Sequence, residues 1–394
     1  MNPLRKLQGF NQSIWYDNLE HSMIVSGELR RMISEDGLTG VTSNPTIFEK
    51  AINGTDDYDA ILDDILKRHP DFNGRNLFFE MAIQDIRAVA DLLEPVYTDT
   101  KGVDGYVSLE VSPDLAHDTK GTVTEARQLW RRVARPNLMI KVPATQEGLP
   151  AIQALIADGI NINVTLLFSV ERYKQVINAY LLGLESRVKR GQVLNNVASV
   201  ASFFVSRVDQ AVDKSLDHKL TSASPTERKS LEQLKGKIAI ANCRVAYDLY
   251  REQFASSRFA TLRESNAQAQ RLLWASTGTK NPALSDILYV SSLIGDGTVN
   301  TLPPATYQAF RDHGEPQPSL PGNVQEARDQ LASLKTLGID MDTVTAELLT
   351  QGMASFSDSF QSLLSAMESK AIAINQAAYT SAQAKLKTQF GTSS

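Results

Sequence analysis

At 394 residues, with 42% hydrophobic and 22% charged side chains, the chain has a soluble globular composition and length for two average domains or one elaborated α/β barrel. A net charge of −5 and a pI near 5.7, with no basic stripe, argue against a nucleic-acid surface. The single cysteine, Cys243, excludes an internal disulfide framework and a cysteine-rich zinc site.

The opening Met-Asn-Pro-Leu-Arg-Lys lacks the apolar core of a secretory signal, and no apolar run is long enough to span a membrane. A reducing cytoplasm is the expected setting, with Cys243 a packed thiol on a helix face.

Residues 13–17 predict the first strand, and Asp17 falls where it ends. A helix follows through Arg31 to a stop at Gly37. Taken alone, Asp17 is an ordinary N-cap for that helix. Residues 38–44 predict a second strand, after which Pro45 starts a helix with Asn44 placed to cap it. From Lys50 to Tyr97 the pattern is helical. Apolar spacing runs over 58–68 and 75–93, and Glu94-Pro95 closes the second segment.

Residues 106–112 alternate: Val107, Leu109 and Val111 face one way, and Ser108, Glu110 and Ser112 the other. A helix over 122–134 follows, with Arg131 and Arg132 on a solvated face. The stretch 137–145 then predicts a short buried strand with one ammonium group in its middle. Leu138, Ile140 and Val142 take one face; Met139, Lys141 and Pro143 take the other. Pro143 has no amide proton, so pairing should end there and leave Lys141 near the strand's carboxyl end. An ammonium among apolar neighbours is costly to keep charged, and a neutral amine can attack a carbonyl to form a Schiff base. On this stretch alone, a lysine paired with a carboxylate is the commoner arrangement.

After a helix over 148–157, residues 159–168 place Ile160, Ile162, Val164 and Leu166 on one face, and Asn161, Asn163 and Thr165 on the other. Two amides and a hydroxyl on one side of a strand need partners, from each other or from a polar ligand. Ser169 caps the next helix, to about Arg190. Residues 196–208 give a sixth strand and its exit. Ser202 and Arg207 have opposite parity, so both reach one site only if the strand ends or bulges between them. The pattern is helical again from 210 to 265, with one long member through Tyr250 that suits packing across the barrel or against a partner, which leaves room for a homodimer. Strands seven and eight are read at 271–278 and 297–301, with a helix around 284–293 between them. Asp296, in Gly-Asp-Gly, is a turn residue. Beyond Pro303 the chain looks helical, to a loose tail at 391–394.

Strands alternating with helices about eight times favour a (β/α)₈ barrel of TIM type over a doubly wound sheet. The expected organisation is a single barrel domain over 1–390, with helical insertions at about 50–97 and 210–265 and a helical C-terminal segment. Asp17, Asn44, Glu110, Lys141, Asn163 and Thr165 then share the inner face near the strands' carboxyl ends, where barrels build active sites. One inward polar residue would mean little. Six at one level are hard to explain by structure alone. Lys141 offers a Schiff-base nucleophile, Glu110 and Asp17 two carboxylates in different settings, and Arg207 with Ser276 a phosphate contact.

Five stretches together resemble the transaldolase family, in its order: Thr42-Ser-Asn-Pro45, Ser108-Leu-Glu-Val-Ser112, Ile140-Lys-Val-Pro-Ala-Thr145, Ile162-Asn-Val-Thr-Leu-Leu-Phe-Ser169 and Ala201-Ser-Phe-Phe-Val-Ser-Arg207. The length is similar to that of the family's longer branch. The resemblance implies a (β/α)₈ barrel with the Schiff-base lysine on strand four. It also implies transfer of a dihydroxyacetone unit from sedoheptulose 7-phosphate or fructose 6-phosphate to glyceraldehyde 3-phosphate or erythrose 4-phosphate, in the non-oxidative pentose phosphate pathway. By motif match Lys141 attacks the donor carbonyl. Glu110 shuttles protons through a water shared with Thr165, and Asp17 takes the hydroxyl proton during cleavage. Asn44, Asn163 and Ser202 hold sugar hydroxyls. The imine is the electron sink, so neither a metal nor an organic cofactor is expected. In one respect the chain departs from the pattern: where shorter members carry an arginine two residues after the serine matching Ser276, it has Gly278, and Lys280 is the nearest cation. The alternatives are a Schiff-base fructose 6-phosphate aldolase releasing dihydroxyacetone, against which Glu110 weighs, and a non-catalytic sugar-phosphate-binding barrel.

Overall fold

The computed structural model describes residues 2–390, so the tail expected at 391–394 lies outside the described residues. Eight parallel strands close into a barrel in chain order: β1 (Gln12–Tyr16), β2 (Gly40–Val41), β3 (Tyr106–Glu110), β4 (Leu138–Pro143), β5 (Ile162–Leu167), β6 (Ser199–Phe204), β7 (Arg271–Ala275) and β8 (Thr298–Leu302). Every strand residue except Arg271 is buried, because helices cover the outer face while side chains fill the inside. The expected barrel is therefore the observed one. Among the described residues no helix is long and apolar enough to cross a membrane.

Several boundaries differ from expectation. β2 is two residues long, and its Gly40 lies beneath the Trp15 ring, where a Cβ would stand 2.5 Å from ring atoms. Barrel pairing nevertheless continues on both sides, through Thr39 N to Ile14 O and Thr42 N to Tyr16 O. The helix expected to close at Glu94-Pro95 instead runs from Gly74 to Asp99 through Pro95. An interior proline costs about 3 kcal/mol. Packing beyond it opposes that cost: Tyr97 meets Tyr106 edge-on at 5.5 Å, and Gly105 lies against the Tyr97 backbone. The helix read over 284–293 shrinks to Leu288–Ser292, since the Asn281 side chain accepts from Ala283 N and holds a turn there.

The 210–265 stretch is four helices, Ser206–Leu220, Pro225–Leu234, Ile238–Ala255 and Ser257–Glu264. The one containing Tyr250 does not cross the barrel. It packs on the flank, against helices Val170–Lys189 and Val324–Thr336. The element over the barrel mouth is the C-terminal helix Met341–Phe390, which lies against helices Pro45–Gly54, Asp59–Arg68, Gly74–Asp99 and Ser206–Leu220. At the barrel's other end Arg271 acts as a plug, donating to Ser13 Oγ at 2.6 Å and Thr298 O at 2.7 Å.

Candidate active site

Lys141 occupies the fourth position of β4, opposite Glu110 of β3 and Asn163 of β5. It is 4% exposed, and Glu110 is 8% exposed. Lys141 Nζ donates to Ser43 O at 3.1 Å and stands 3.2 Å from Glu110 Oε2. That second contact is an ion pair outside hydrogen-bond geometry, so Oε2 keeps no aligned donor. On β5, Thr165 is fully buried and its Oγ1 also lacks a partner. Two buried oxygens with unused capacity thus lie on the strands flanking the amine, an arrangement suited to holding a water.

Asp17 follows β1, its amide bonded to Leu302 O. Thr42 donates to Asp17 Oδ1 at 2.7 Å and is itself 2.7 Å from Thr301 Oγ1. Asp17 is therefore fixed by side chains and is not the N-cap of the following helix, whose cap position is Glu20. Burial raises the carboxyl of Asp17 above its usual range, while the Lys141 ammonium, the Thr42 hydroxyl and Arg207 pull it down. Burial also raises Glu110, with Lys141 opposing and Asp17 adding to the rise. Two carboxyls raised above their ordinary values beside one amine are suited to proton transfer.

Asn44 does cap helix Pro45–Gly54, accepting from Ile47 N at 3.0 Å, and still lines the cavity. Ser202 of β6 lines it too, and donates to Asn163 Oδ1 at 2.7 Å; Asn163 Nδ2 donates to Ser108 Oγ at 3.0 Å. Asn163 is thus tied into a polar layer beneath the cavity and does not line it. The shared outer face read for β5 breaks at its end. Register slips between Val164 and Leu167, and Leu166 takes φ 58, a strained value for a side chain with a Cβ. That bulge turns Leu166 toward Gly352 of the C-terminal helix.

β6 ends at Phe204 and a helix begins at Ser206, which resolves the parity of Ser202 and Arg207: both face the cavity. Arg207 lies over the Phe204 ring at 5.4 Å. Among the described residues it forms no hydrogen bond or ion pair. Burial lowers its pKa, with Asp17 opposing. Ser276, at φ 56, pairs its hydroxyl with Ser206 Oγ at 3.0 Å. Lys280 is exposed and lines the cavity. Its Nζ returns to within 3.7 Å of where a Cβ at Gly278 would sit, so the ammonium reaches back toward the residue-278 position. Gly278 also sits close to Thr306, with 3.2 Å from that Cβ position to Oγ1.

These groups surround one cavity of about 490 Å³ at the carboxyl ends of the strands. Its lining includes Asp17, Asn44, Lys141, Thr165, Ser202, Arg207, Ser276 and Lys280; Glu110 and Asn163 back it from below. Thr42, Thr301, Lys50, Phe204, Ser355 and Phe356 also line it and were not assigned from sequence. For Thr42 and Phe204 a signal existed, since both lie within the stretches quoted above for the family resemblance. Ser355 and Phe356 showed only helical periodicity. Among the described residues no group of three or more His, Cys, Asp or Glu side chains is disposed to hold a metal ion.

A closed parallel barrel with a buried lysine and two raised carboxyls gathered at a cavity at the carboxyl ends of its strands has the layout of a (β/α)₈ enzyme, with a lysine placed where Schiff-base chemistry needs one. The chain belongs to the transaldolase/fructose-6-phosphate aldolase family, whose model, described as Transaldolase/Fructose-6-phosphate aldolase, matches residues 14–367. It is 45% identical over 372 residues to a transaldolase of Trichodesmium erythraeum (strain IMS101), covering 94% of this chain and 97% of that one. It is 46% identical over 369 residues to a transaldolase of Thermobifida fusca (strain YX), covering 92% and 96%. A transaldolase of Thiobacillus denitrificans (strain ATCC 25259 / T1) is 46% identical over 364 residues, covering 92% and 99%.

Proposed function

We propose that the enzyme is a transaldolase, a transferase that moves a dihydroxyacetone unit between sugar phosphates through an imine on Lys141. The full-length similarity to proteins named transaldolase supports transfer over the aldolase alternative. The observation that carries the chemistry is the buried Lys141 flanked by the unsatisfied oxygens Glu110 Oε2 and Thr165 Oγ1, in a cavity also lined by Arg207, which has no hydrogen-bonded or ionic partner among the described residues.

In this reading the amine of Lys141 adds to the donor ketose carbonyl. A water held by Glu110 Oε2 and Thr165 Oγ1 relays protons as the carbinolamine loses water. Asp17, aligned by Thr42, then takes the hydroxyl proton while the carbon–carbon bond breaks, and the cationic imine accepts the electron pair as an enamine. The aldose product leaves, the enamine carbon attacks an incoming aldehyde, and hydrolysis frees the new ketose. Asn44 and Ser202 hold hydroxyls of the retained fragment; Asn163 directs the Ser202 hydroxyl. Arg207, Ser276 and Lys280 bind the phosphate, Lys280 as a point charge with less geometric selectivity than an arginine. Sedoheptulose 7-phosphate or fructose 6-phosphate is the donor, and glyceraldehyde 3-phosphate or erythrose 4-phosphate the acceptor. A cytoplasmic location belongs to the same proposal.

The test is incubation with fructose 6-phosphate, with and without erythrose 4-phosphate. Transferred ketose is expected only with the aldehyde, and borohydride should label Lys141. Free dihydroxyacetone in equal amounts under both conditions would favour the aldolase, and absence of any cleavage the binding barrel.

A further inference from the structure

Lys141 has polar neighbours on two sides, Glu110 Oε2 at 3.2 Å and Ser43 O at 3.1 Å. On a third side it meets an aromatic ring that the C-terminal helix brings over the barrel. Phe356 is 4% exposed, lines the cavity beside Ser355, and has its ring centroid 5.7 Å from Nζ. The helix carrying it is anchored elsewhere. Thr46 donates to Ser359 Oγ at 2.8 Å, and Phe360 packs edge-on against Phe78 at 5.8 Å. Lys370 donates to Asp59 at 2.5 Å and to Thr55 O at 3.2 Å. The closeness of Gly74 to Leu364 O, where a Cβ would stand 2.6 Å away, seats the helix tightly. None of these anchors touches the lysine; Phe356 belongs to the same buried core and is the core ring of this helix that also faces the amine.

We propose that Phe356 shields the Lys141 adduct and sets the partition between transfer and release. The inference rests on the transfer reading above. Both outcomes end in hydrolysis of an imine, for which a water at Glu110 and Thr165 suffices. They differ in what reaches the enamine carbon first. In transfer that carbon bonds to the aldehyde carbon, and the aldehyde oxygen takes a proton. In release the carbon takes a proton, water adds to the resulting iminium, the carbon–nitrogen bond breaks, and dihydroxyacetone leaves with Lys141 restored as the amine. A phenyl ring bears no exchangeable proton and fills the space in which a proton-bearing water would stand. Its face also favours the cationic imine.

The experiment measures dihydroxyacetone released against ketose transferred, from fructose 6-phosphate and erythrose 4-phosphate, in D₂O. Three variants are compared with the wild type: Phe356→Ala, Phe356→Leu and Phe360→Leu. The ratio should rise about tenfold in Phe356→Ala, as a proton-bearing water gains access to the enamine carbon, and less in Phe356→Leu. The released dihydroxyacetone should carry deuterium on the protonated carbon. Phe360→Leu, which loosens the same helix one turn further along, behind Glu110 and against Phe78 rather than over the amine, should keep the wild-type ratio. If Phe356→Ala does not fold, by circular dichroism, Phe356→Leu decides alone. An unchanged ratio in folded Phe356 variants, or an equal rise in Phe360→Leu, overturns the shield while transfer by the wild type stands. A wild type that transfers nothing overturns the functional reading itself.

Discussion

Glu110 and Lys141 stand opposite one another in the register of β3 and β4, with Oε2 3.2 Å from Nζ and both side chains nearly inaccessible. A buried ion pair loses more to desolvation than a surface one and depends on both partners being present. The amine proposed to form the imine is therefore also part of the barrel's electrostatic balance, and on that reading activity and stability are linked at this point.

Lys141→Met should abolish transfer, since the imine cannot form, while preserving most of the side-chain volume. It should also destabilise the fold, by about 3–5 kcal/mol when Glu110 is ionised. The sign follows from Glu110, which burial already raises and Lys141 holds down. Without the ammonium the folded carboxyl rises further, so the folded state binds the extra proton and stability falls as pH increases through that window. Melting temperatures of variant and wild type should converge toward pH 4 and diverge toward pH 8. A constant gap would contradict the pairing.

Asp17→Asn separates imine formation from cleavage. The amide can still accept from Thr42 but cannot take the hydroxyl proton. Turnover should fall by about 10²–10⁴, the usual contribution of a positioned general base. Borohydride labelling of Lys141 with fructose 6-phosphate should persist. Loss of labelling together with turnover would place Asp17 in imine formation instead.

Arg207 is a partly buried cation without a hydrogen-bonded or ionic partner among the described residues, at the cavity end that also holds Ser276 and Lys280. Arg207→Ala should weaken phosphorylated donors by about 1.5–3 kcal/mol in kcat/KM, and leave an unphosphorylated ketose nearly unaffected. Lys280→Ala should do the same to a smaller extent, because its ammonium is exposed and screened. Equal losses with both kinds of ketose would remove these residues from the phosphate site.

Asp209, 3% exposed, is raised from the ordinary 3.8 to about 6 by burial and by Asp213, against hydrogen bonds from Ala239 N and Tyr289 Oη. The folded state thus holds a proton that the unfolded chain has released, and this group's contribution is lost as pH rises from about 4 to 6. Asp209→Asn removes that titration and can keep both bonds, with Tyr289 as acceptor. Relative to wild type it should gain up to about 3 kcal/mol between pH 4 and pH 7, read from chemical denaturation at each pH. A variant whose deficit or gain is the same at both pH values would show that Asp209 does not titrate there.

The alternating and buried strand patterns, eight times interrupted by helices, led to the barrel, and the parity of each pattern put Asp17, Glu110, Lys141 and Thr165 on one side of the sheet. Such features are local: a strand's period of two and the missing amide proton of Pro143 are properties of neighbouring residues. Motif order along the chain was equally legible, and with it the family.

Other features were decided by residues far apart in sequence. Helix Gly74–Asp99 passes through Pro95 because Tyr97 finds Tyr106. Gly40 of β2 leaves the room that the Trp15 ring occupies. Asp17 is bound by Thr42 rather than capping a helix, and Asn163 is absorbed by Ser108 and Ser202. The roof over Lys141 comes from Phe356, 215 positions further along the chain by residue number. Its spacing marked only a helix, and a helix has no direction until something packs against it. The sequence by itself determined which chemistry the barrel carries. The tertiary structure alone decided what encloses that chemistry, because enclosure depends on contacts between surfaces that no local period encodes.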